Sequence, residues 1–225
     1  MIIASQLRLL GPFPHFPQEV IREELSQPRT SVTEARSGGP AHRAFIDLLP
    51  EAWRSDPQVE IFSRCLYLKE GWYPLSPHFH FDWGRGADAP FVETLMVCMG
   101  DASLTEFILG PLDLPEADPA GGRRRGGGEG WDAQVAAGLA SGALRSWRIE
   151  PWQLVLFDNR TLHRARPAGK TGWRLLLRAI RGLERMADGA DGGYGRRAPF
   201  TTCRNGYVPE TAEERRLHAA YREDA

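Results

Sequence analysis

The chain has 225 residues, 42% of them apolar and 25% charged, with a formal net charge of −1. That balance belongs to a protein that buries a core, and the near-zero charge removes any bulk attraction to nucleic acid or to an anionic membrane surface. No apolar run approaches the ~18 residues of a membrane span. The N-terminal stretch MIIASQLRLLGPFPHFP carries neither a basic leader nor a small-residue cleavage site, so an unprocessed cytoplasmic protein is expected. Cys65, Cys98 and Cys203 are odd in number and lack CxxC spacing, which argues against a disulfide framework or a zinc–thiolate site. Lys69 and Lys170 are the only lysines among many arginines, a bias that points to a GC-rich bacterial genome.

In chain order, PQEVIREELS at 17–26 and AHRAFIDLLPEAW at 41–53 space their apolar residues at helical intervals, and the polar, Gly/Pro-punctuated QPRTSVTEARSGGP between them reads as a loop. From residue 58 the pattern changes to short runs rich in β-branched and aromatic residues, bounded by turn formers. Strands are predicted at 59–69, 77–83, 91–99, 103–109, 144–150, 153–158, 162–167 and 173–180. Eight short strands joined by turns imply an antiparallel sandwich or barrel.

One interruption, PEADPAGGRRRGGGEG at 115–130, is too rich in Gly and charge to pack and reads as a surface insertion. A sharper alternative makes it a lid whose Arg123, Arg124 and Arg125 meet an anionic substrate. The following WDAQVAAGLASGA reads as a short helix. A terminal helix is predicted from Thr211 and Glu214, which have capping-box spacing. The expected organisation is one domain over 1–225: helices and loops at 1–57, a β core at 58–181 with an insertion at 115–143, and an extension at 182–225.

The chemistry concentrates in PHFHFDWG, where an extended strand would project His78, His80 and Asp82 from one face. A further imidazole, His163, lies near the start of another predicted strand. Two histidines and one carboxylate on one face of a metal leave positions open for co-substrate and oxygen, the arrangement of non-haem Fe(II) oxygenases. His80, Asp82, a distant His163, ten residues and then Arg174 resemble the Fe(II)/2-oxoglutarate dioxygenase superfamily, over roughly residues 58–181.

That resemblance implies a mainly β chain with flanking helices around a double-stranded β-helix (jelly-roll, cupin-like) core. HxD would end the second strand, the distal His would lie on the seventh and the basic residue on the eighth, matching the predicted strands that hold His80, His163 and Arg174. It implies Fe(II) on His80, Asp82 and His163, with 2-oxoglutarate as co-substrate held through its far carboxylate by the planar Arg174 guanidinium. Small-molecule substrate, molecular oxygen and hydroxylation with release of succinate and CO2 follow. An intact Asp82 argues against halogenation, because halogenating members carry Gly or Ala there, and leaves desaturation or ring formation as variants.

Two departures stand out: many members place Ser or Thr two residues after the basic residue, where this chain has Leu176, and the interval from Asp82 to His163 is long, as the insertion explains. Arg178, on the same strand face, is the reserve for Arg174. A His78/His80/His163 set would resemble a cupin site needing no 2-oxoglutarate, but the Glu that should follow closely is absent until Glu93. His78 is therefore expected to line the pocket or support a ligand. A non-catalytic β-helix binding module is the third reading. Asp158 and Asn159 are expected in a turn. Tyr67, Trp72, Tyr73 and Trp83 are expected to pack, Arg64 and Tyr67 reach the pocket if their strand face looks inward, and His15, His42 and His218 stand isolated in sequence.

Overall fold

The structure is a computed structural model that describes residues 2–4, 6–27, 29–74, 77–82, 91–100, 102–113 and 128–183. Most of the Gly/Arg-rich insertion with its three arginines, Trp83, Cys203, His218 and the predicted terminal helix lie outside these residues.

The strands are β1 (Ile2–Ala4), β2 (Leu7–Pro12), β3 (Thr30–Ser31), β4 (Glu60–Leu68), β5 (Glu93–Met99), β6 (Thr105–Leu109), β7 (Pro111–Asp113), β8 (Arg145–Arg148), β9 (Gln153–Asp158), β10 (His163–Ala165) and β11 (Gly172–Arg181). The helices are α1 (Gln18–Glu23), α2 (Val32–Ala35), α3 (Pro40–Asp47), α4 (Glu51–Arg54) and α5 (Gly128–Ser141). The chain is thus mainly β with antiparallel sheets and few helices. A six-stranded sheet runs β2-β9-β5-β11-β4-β3, a three-stranded sheet runs β10-β6-β8, and β1 pairs with β7. No described helix is long and apolar enough to cross a membrane.

Alternation along β11 explains the layers. Leu175, Leu177 and Ala179, with Leu95, Val97 and Met99 of β5 and Ile61 and Cys65 of β4, bury themselves against Ile21, Ala35, Phe45, Ile46 and Trp53 of the N-terminal helices. On the opposite face Leu176, Met96, Cys98, Val155 and Phe157 pack with Phe107 of β6 and Ile149 beyond β8. A strand covered on both faces reads as a continuous apolar run, which is why β11 is LLL at its centre. Arg174 and Arg178 share the face of Leu176, so both guanidinium groups enter the space between the two sheets.

Several elements differ from the sequence expectation. Residues 77–82 form no ladder: His80 alone makes an isolated antiparallel bridge, to His163. The predicted 41–53 helix breaks at Pro50, which lacks the N–H that continuing the spiral requires, and restarts as α4. Within the 27–40 loop, Ser31 caps α2 in a reciprocal capping box with Glu34. β2 was not legible because it is a largely exposed edge strand, with a register shift between Leu9 and Gly11. Helix α5 begins at Gly128, inside the segment expected to be loop.

His42 is not isolated once folded. Its Nδ1 lies 2.5 Å from Glu24 Oε2 and its Nε2 2.8 Å from Ser63 Oγ, all three residues being fully buried. Glu24 Oε1 also accepts from the Ala41 N–H at 2.6 Å, so a carboxylate from the end of α1 satisfies the first turn of α3. Gly39 sits at φ 146°, and a Cβ there would collide with that carboxylate. The cluster welds α1, α3 and β4 and is sealed from solvent, so it serves packing.

Candidate metal centre

The site is assembled by one backbone contact. The His80 N–H donates to the His163 carbonyl at 2.9 Å and the His163 N–H donates back to the His80 carbonyl at 3.1 Å. Such a hydrogen-bonded antiparallel pair puts both side chains on the same side, and the imidazole centroids stand 4.7 Å apart. His163 opens β10, whose pairing with β6 sets it opposite Phe107. Phe107 and Phe157 pack on its ring from either sheet. Asp82 follows two residues after His80, and the three side chains each offer a ligand atom within 4.8 Å of the others.

Hydrogen bonding fixes both imidazoles in one tautomer. His80 Nδ1–H donates to the His78 carbonyl at 3.0 Å, and His163 Nδ1–H donates to the Thr161 carbonyl at 2.9 Å, leaving each Nε2 with a lone pair for a cation. His163 Nε2 is buried and makes no hydrogen bond among the described residues, with Asp82 Oδ2 3.3 Å away. His80 Nε2 lies 3.9 Å from Asp82 Oδ1. Ligands bound at about 2.1 Å and at right angles stand roughly 3 Å apart, so the three side chains would draw closer to share one small divalent ion. The orphaned nitrogen is the atom such an ion would satisfy.

Electrostatics favour the ligating protonation states of His80 and Asp82. Burial, reinforced by the neighbouring His163 ring and opposed by Asp82, lowers the pKa of His80 to about 4. Burial would push the Asp82 carboxyl up, but the Arg178 guanidinium and the two imidazoles outweigh it and hold the group well below the usual carboxylate range. A neutral imidazole and an ionised carboxylate are ligand forms that a divalent metal binds.

His78 lies outside this group. Its Nδ1 is 2.5 Å from Asp132 Oδ2 on α5, and Asp132 Oδ1 accepts from the Phe79 N–H at 3.0 Å. His78, His80 and Asp82 therefore do not converge as a strand would have arranged them. Phe79 and Phe81 still point away from the centre: Phe79 packs with Ile108, Trp131, Val135 and Leu144, and Phe81 meets the Trp131 ring edge-on at 5.9 Å. Helix α5 thus clamps the segment that carries His80 and Asp82. Sequence reasoning missed Asp132, whose only signal was an acid at the start of a helical stretch.

The arginines divide. Arg174 is 2% exposed, donating from Nε to the Ser103 carbonyl at 2.8 Å and from Nη2 to Cys98 Sγ at 3.4 Å. Arg178 Nη1 donates to Asp82 Oδ2 at 2.6 Å, so the reserve candidate is committed to the candidate centre instead. Arg64 does face inward, whereas Tyr67, on the opposite face of β4, is exposed and packs on Trp173. Asp158 and Asn159 form the expected turn, Asp158 Oδ1 accepting from the Thr161 hydroxyl at 2.8 Å and the Arg160 N–H at 3.0 Å.

Fold and site together define a mainly β protein with a His–Asp–His group able to hold a metal ion. The sequence matches no family model and no curated protein. Among solved structures it is similar to AviO1 from Streptomyces viridochromogenes Tue57, at 18% identity and a TM-score of 0.42 over 80% of this chain and 90% of that one. It is also similar to EvdMO1, at 10% identity and a TM-score of 0.36 over 79% of this chain and 55% of that one. At such scores neither defines the fold or activity of this chain.

Proposed function

We propose that the chain is a non-haem Fe(II)- and 2-oxoglutarate-dependent oxygenase that hydroxylates a small-molecule or amino-acid-derived substrate. The observation that carries this is the convergence of His80, Asp82 and His163, with the buried His163 Nε2 left without a hydrogen bond. Two imidazoles and one carboxylate on one side of an ion leave positions for two donor atoms of a 2-oxo acid and for oxygen. When bound there, Fe(II) with 2-oxoglutarate and O2 supplies the chemistry that places one oxygen atom in a substrate C–H bond and the other in succinate, with loss of CO2.

The protein's part is positional and electrostatic. The carbonyls of His78 and Thr161 aim the two imidazoles, and Arg178 orients Asp82. Arg174 waits on the same strand face as Arg178, with donors still open to a carboxylate. Phe107 and Phe157 exclude water from the His163 side. On this reading the two packed sheets form a single-domain double-stranded β-helix with 1–57 packed on the core. The protein works in the cytoplasm on a small molecule, with neither nucleic acid nor membrane as partner.

Anaerobic titration with Fe(II) and then 2-oxoglutarate, followed by a substrate screen read as succinate formation, tests the proposal. Saturable 2-oxoglutarate binding that requires the metal is the expected result. Iron-loaded protein that does not bind 2-oxoglutarate would sink it.

A further inference from the structure

We propose that Arg64 on β4 and Arg174 on β11 grip one carboxylate together, Arg64 supplying the donor that the apolar Leu176 cannot. The inference deepens the 2-oxoglutarate reading above and rests on it. In the register of the larger sheet, Leu176 lies directly opposite Arg64, while Arg174 lies opposite Leu66 and Arg178 opposite Phe62. Directly paired residues share a face, so Arg64 projects into the same inter-sheet space as Arg174 and Arg178, at the diagonal positions that long side chains span. The flanking residues agree, since Phe62 packs against the inter-sheet core and Leu66 is fully buried.

Among the described residues the charges in this space do not balance. Arg178 has Asp82, but among the described residues no carboxylate pairs with Arg64 or Arg174. Arg174 spends its Nε on a carbonyl and one Nη2 proton on a thiol, and among the described residues its Nη1 makes no hydrogen bond. Burial, with the positive charges of Arg178 and Arg64 nearby, works against its charged state. An arginine does not shed its proton near neutrality, so a carboxylate bound here would offset that cost. One carboxylate has two oxygens and about four lone-pair sites, enough for two guanidinium groups approaching from adjacent strands. Leu176, 1% exposed in the inter-sheet core, then forms the apolar floor between them.

The test is calorimetric binding to the full chain loaded with Ni(II) in place of iron. The ligands are 2-oxoglutarate and 2-oxobutanoate, which keeps the chelating oxo-acid but lacks the far carboxylate. Wild type is expected to bind both, 2-oxoglutarate more tightly. Arg64→Met is expected to lose roughly 10- to 100-fold for 2-oxoglutarate, the size of a hydrogen bond to a charged group, and less than about 3-fold for 2-oxobutanoate. Arg64→Met and Arg174→Met should also combine non-additively for 2-oxoglutarate. Arg64→Lys, which keeps the charge but not the planar fork, gives the same ligand-selective loss at smaller size and serves if Arg64→Met does not fold. Unchanged 2-oxoglutarate affinity, or equal loss for both ligands, would overturn the role of Arg64 while leaving the co-substrate reading intact. Wild type that binds no 2-oxoglutarate overturns both.

Discussion

Arg178 Nη1 donates to Asp82 Oδ2 at 2.6 Å, which ties the carboxylate of the candidate centre to an interior strand of the larger sheet. The side chains are 9% and 16% exposed, so little solvent screens the pair. Without metal, Arg178→Met leaves a nearly buried carboxylate that among the described residues faces two imidazoles and no other cation, and unfolding free energy is expected to fall by about 2–4 kcal/mol. A divalent ion supplies a replacement cation, so Mn(II) should stabilise Arg178→Met more than it stabilises wild type. Denaturant titrations with and without Mn(II) measure this. An equal metal-induced gain in both proteins would show that Arg178 and the ion do not share the carboxylate.

Asp82→Ala separates the metal readings. If Asp82 is a ligand, the substitution lowers divalent-metal affinity by more than about 100-fold, beyond the range typical of groups that only support ligands. His78→Ala is expected to cost less than about 10-fold, because its Nδ1 is committed to Asp132 and its contribution to His80 is a backbone carbonyl that alanine retains. Metal titrations of the two variants, compared with wild type, give the answer. The reverse ranking would restore the three-histidine set.

The sequence made the scaffold legible wherever short runs rich in β-branched, aromatic and other apolar residues were bounded by turn formers. β4, β5, β9 and β11 all fall within or close to their predicted spans. It made His80, Asp82 and His163 legible as a set because ligand chemistry restricts residue type and order. It could not reveal how they meet. His80 holds its place through one bridge and through the neighbouring Phe79, whose N–H donates to Asp132, 53 residues on in α5, and no local periodicity encodes a contact between groups so distant in the chain. Arg178 looked interchangeable with Arg174 because both share a strand face, and only the position of Asp82 parts them. His42 looked solitary because Glu24 and Ser63 reach it from other elements.

Asp132 is the support whose removal isolates that long-range contact. Its two oxygens hold the Phe79 N–H and the His78 ring, so Asp132→Ala frees the segment between the bridge at His80 and the body of α5. Metal affinity is expected to fall by roughly 10-fold with the ligands themselves intact, in line with losses seen when outer groups are removed. Stability without metal should drop by about 1–2 kcal/mol, because an N–H and an imidazole lose a charged acceptor. Parallel metal and denaturant titrations measure both. A stability loss with unchanged metal affinity would show that the clamp shapes the fold and not the centre.

Glu106 provides the pH test of the smaller sheet. It lies on β6 and accepts from Ser146 Oγ on β8, from Arg164 Nε on β10 at 2.8 Å, and from Arg166 Nη1 at 3.3 Å. Burial pushes its carboxyl up, but the Ser146 hydroxyl and the two arginines outweigh that and hold it below the ordinary glutamate value of 4.5. Below that value the unfolded chain takes up the proton before the folded one does. The carboxylate's contribution is therefore complete above pH 4.5 and is lost as pH falls toward the folded-state value. Glu106→Gln removes the charge at every pH, so it should cost about 1–2 kcal/mol near neutrality. The gap from wild type should then close as the medium is acidified. Unfolding free energies of both proteins between about pH 7 and pH 3 follow that convergence. A constant gap would mean that shape and hydrogen bonding at this position, and not its ionisation, hold β6, β8 and β10 together.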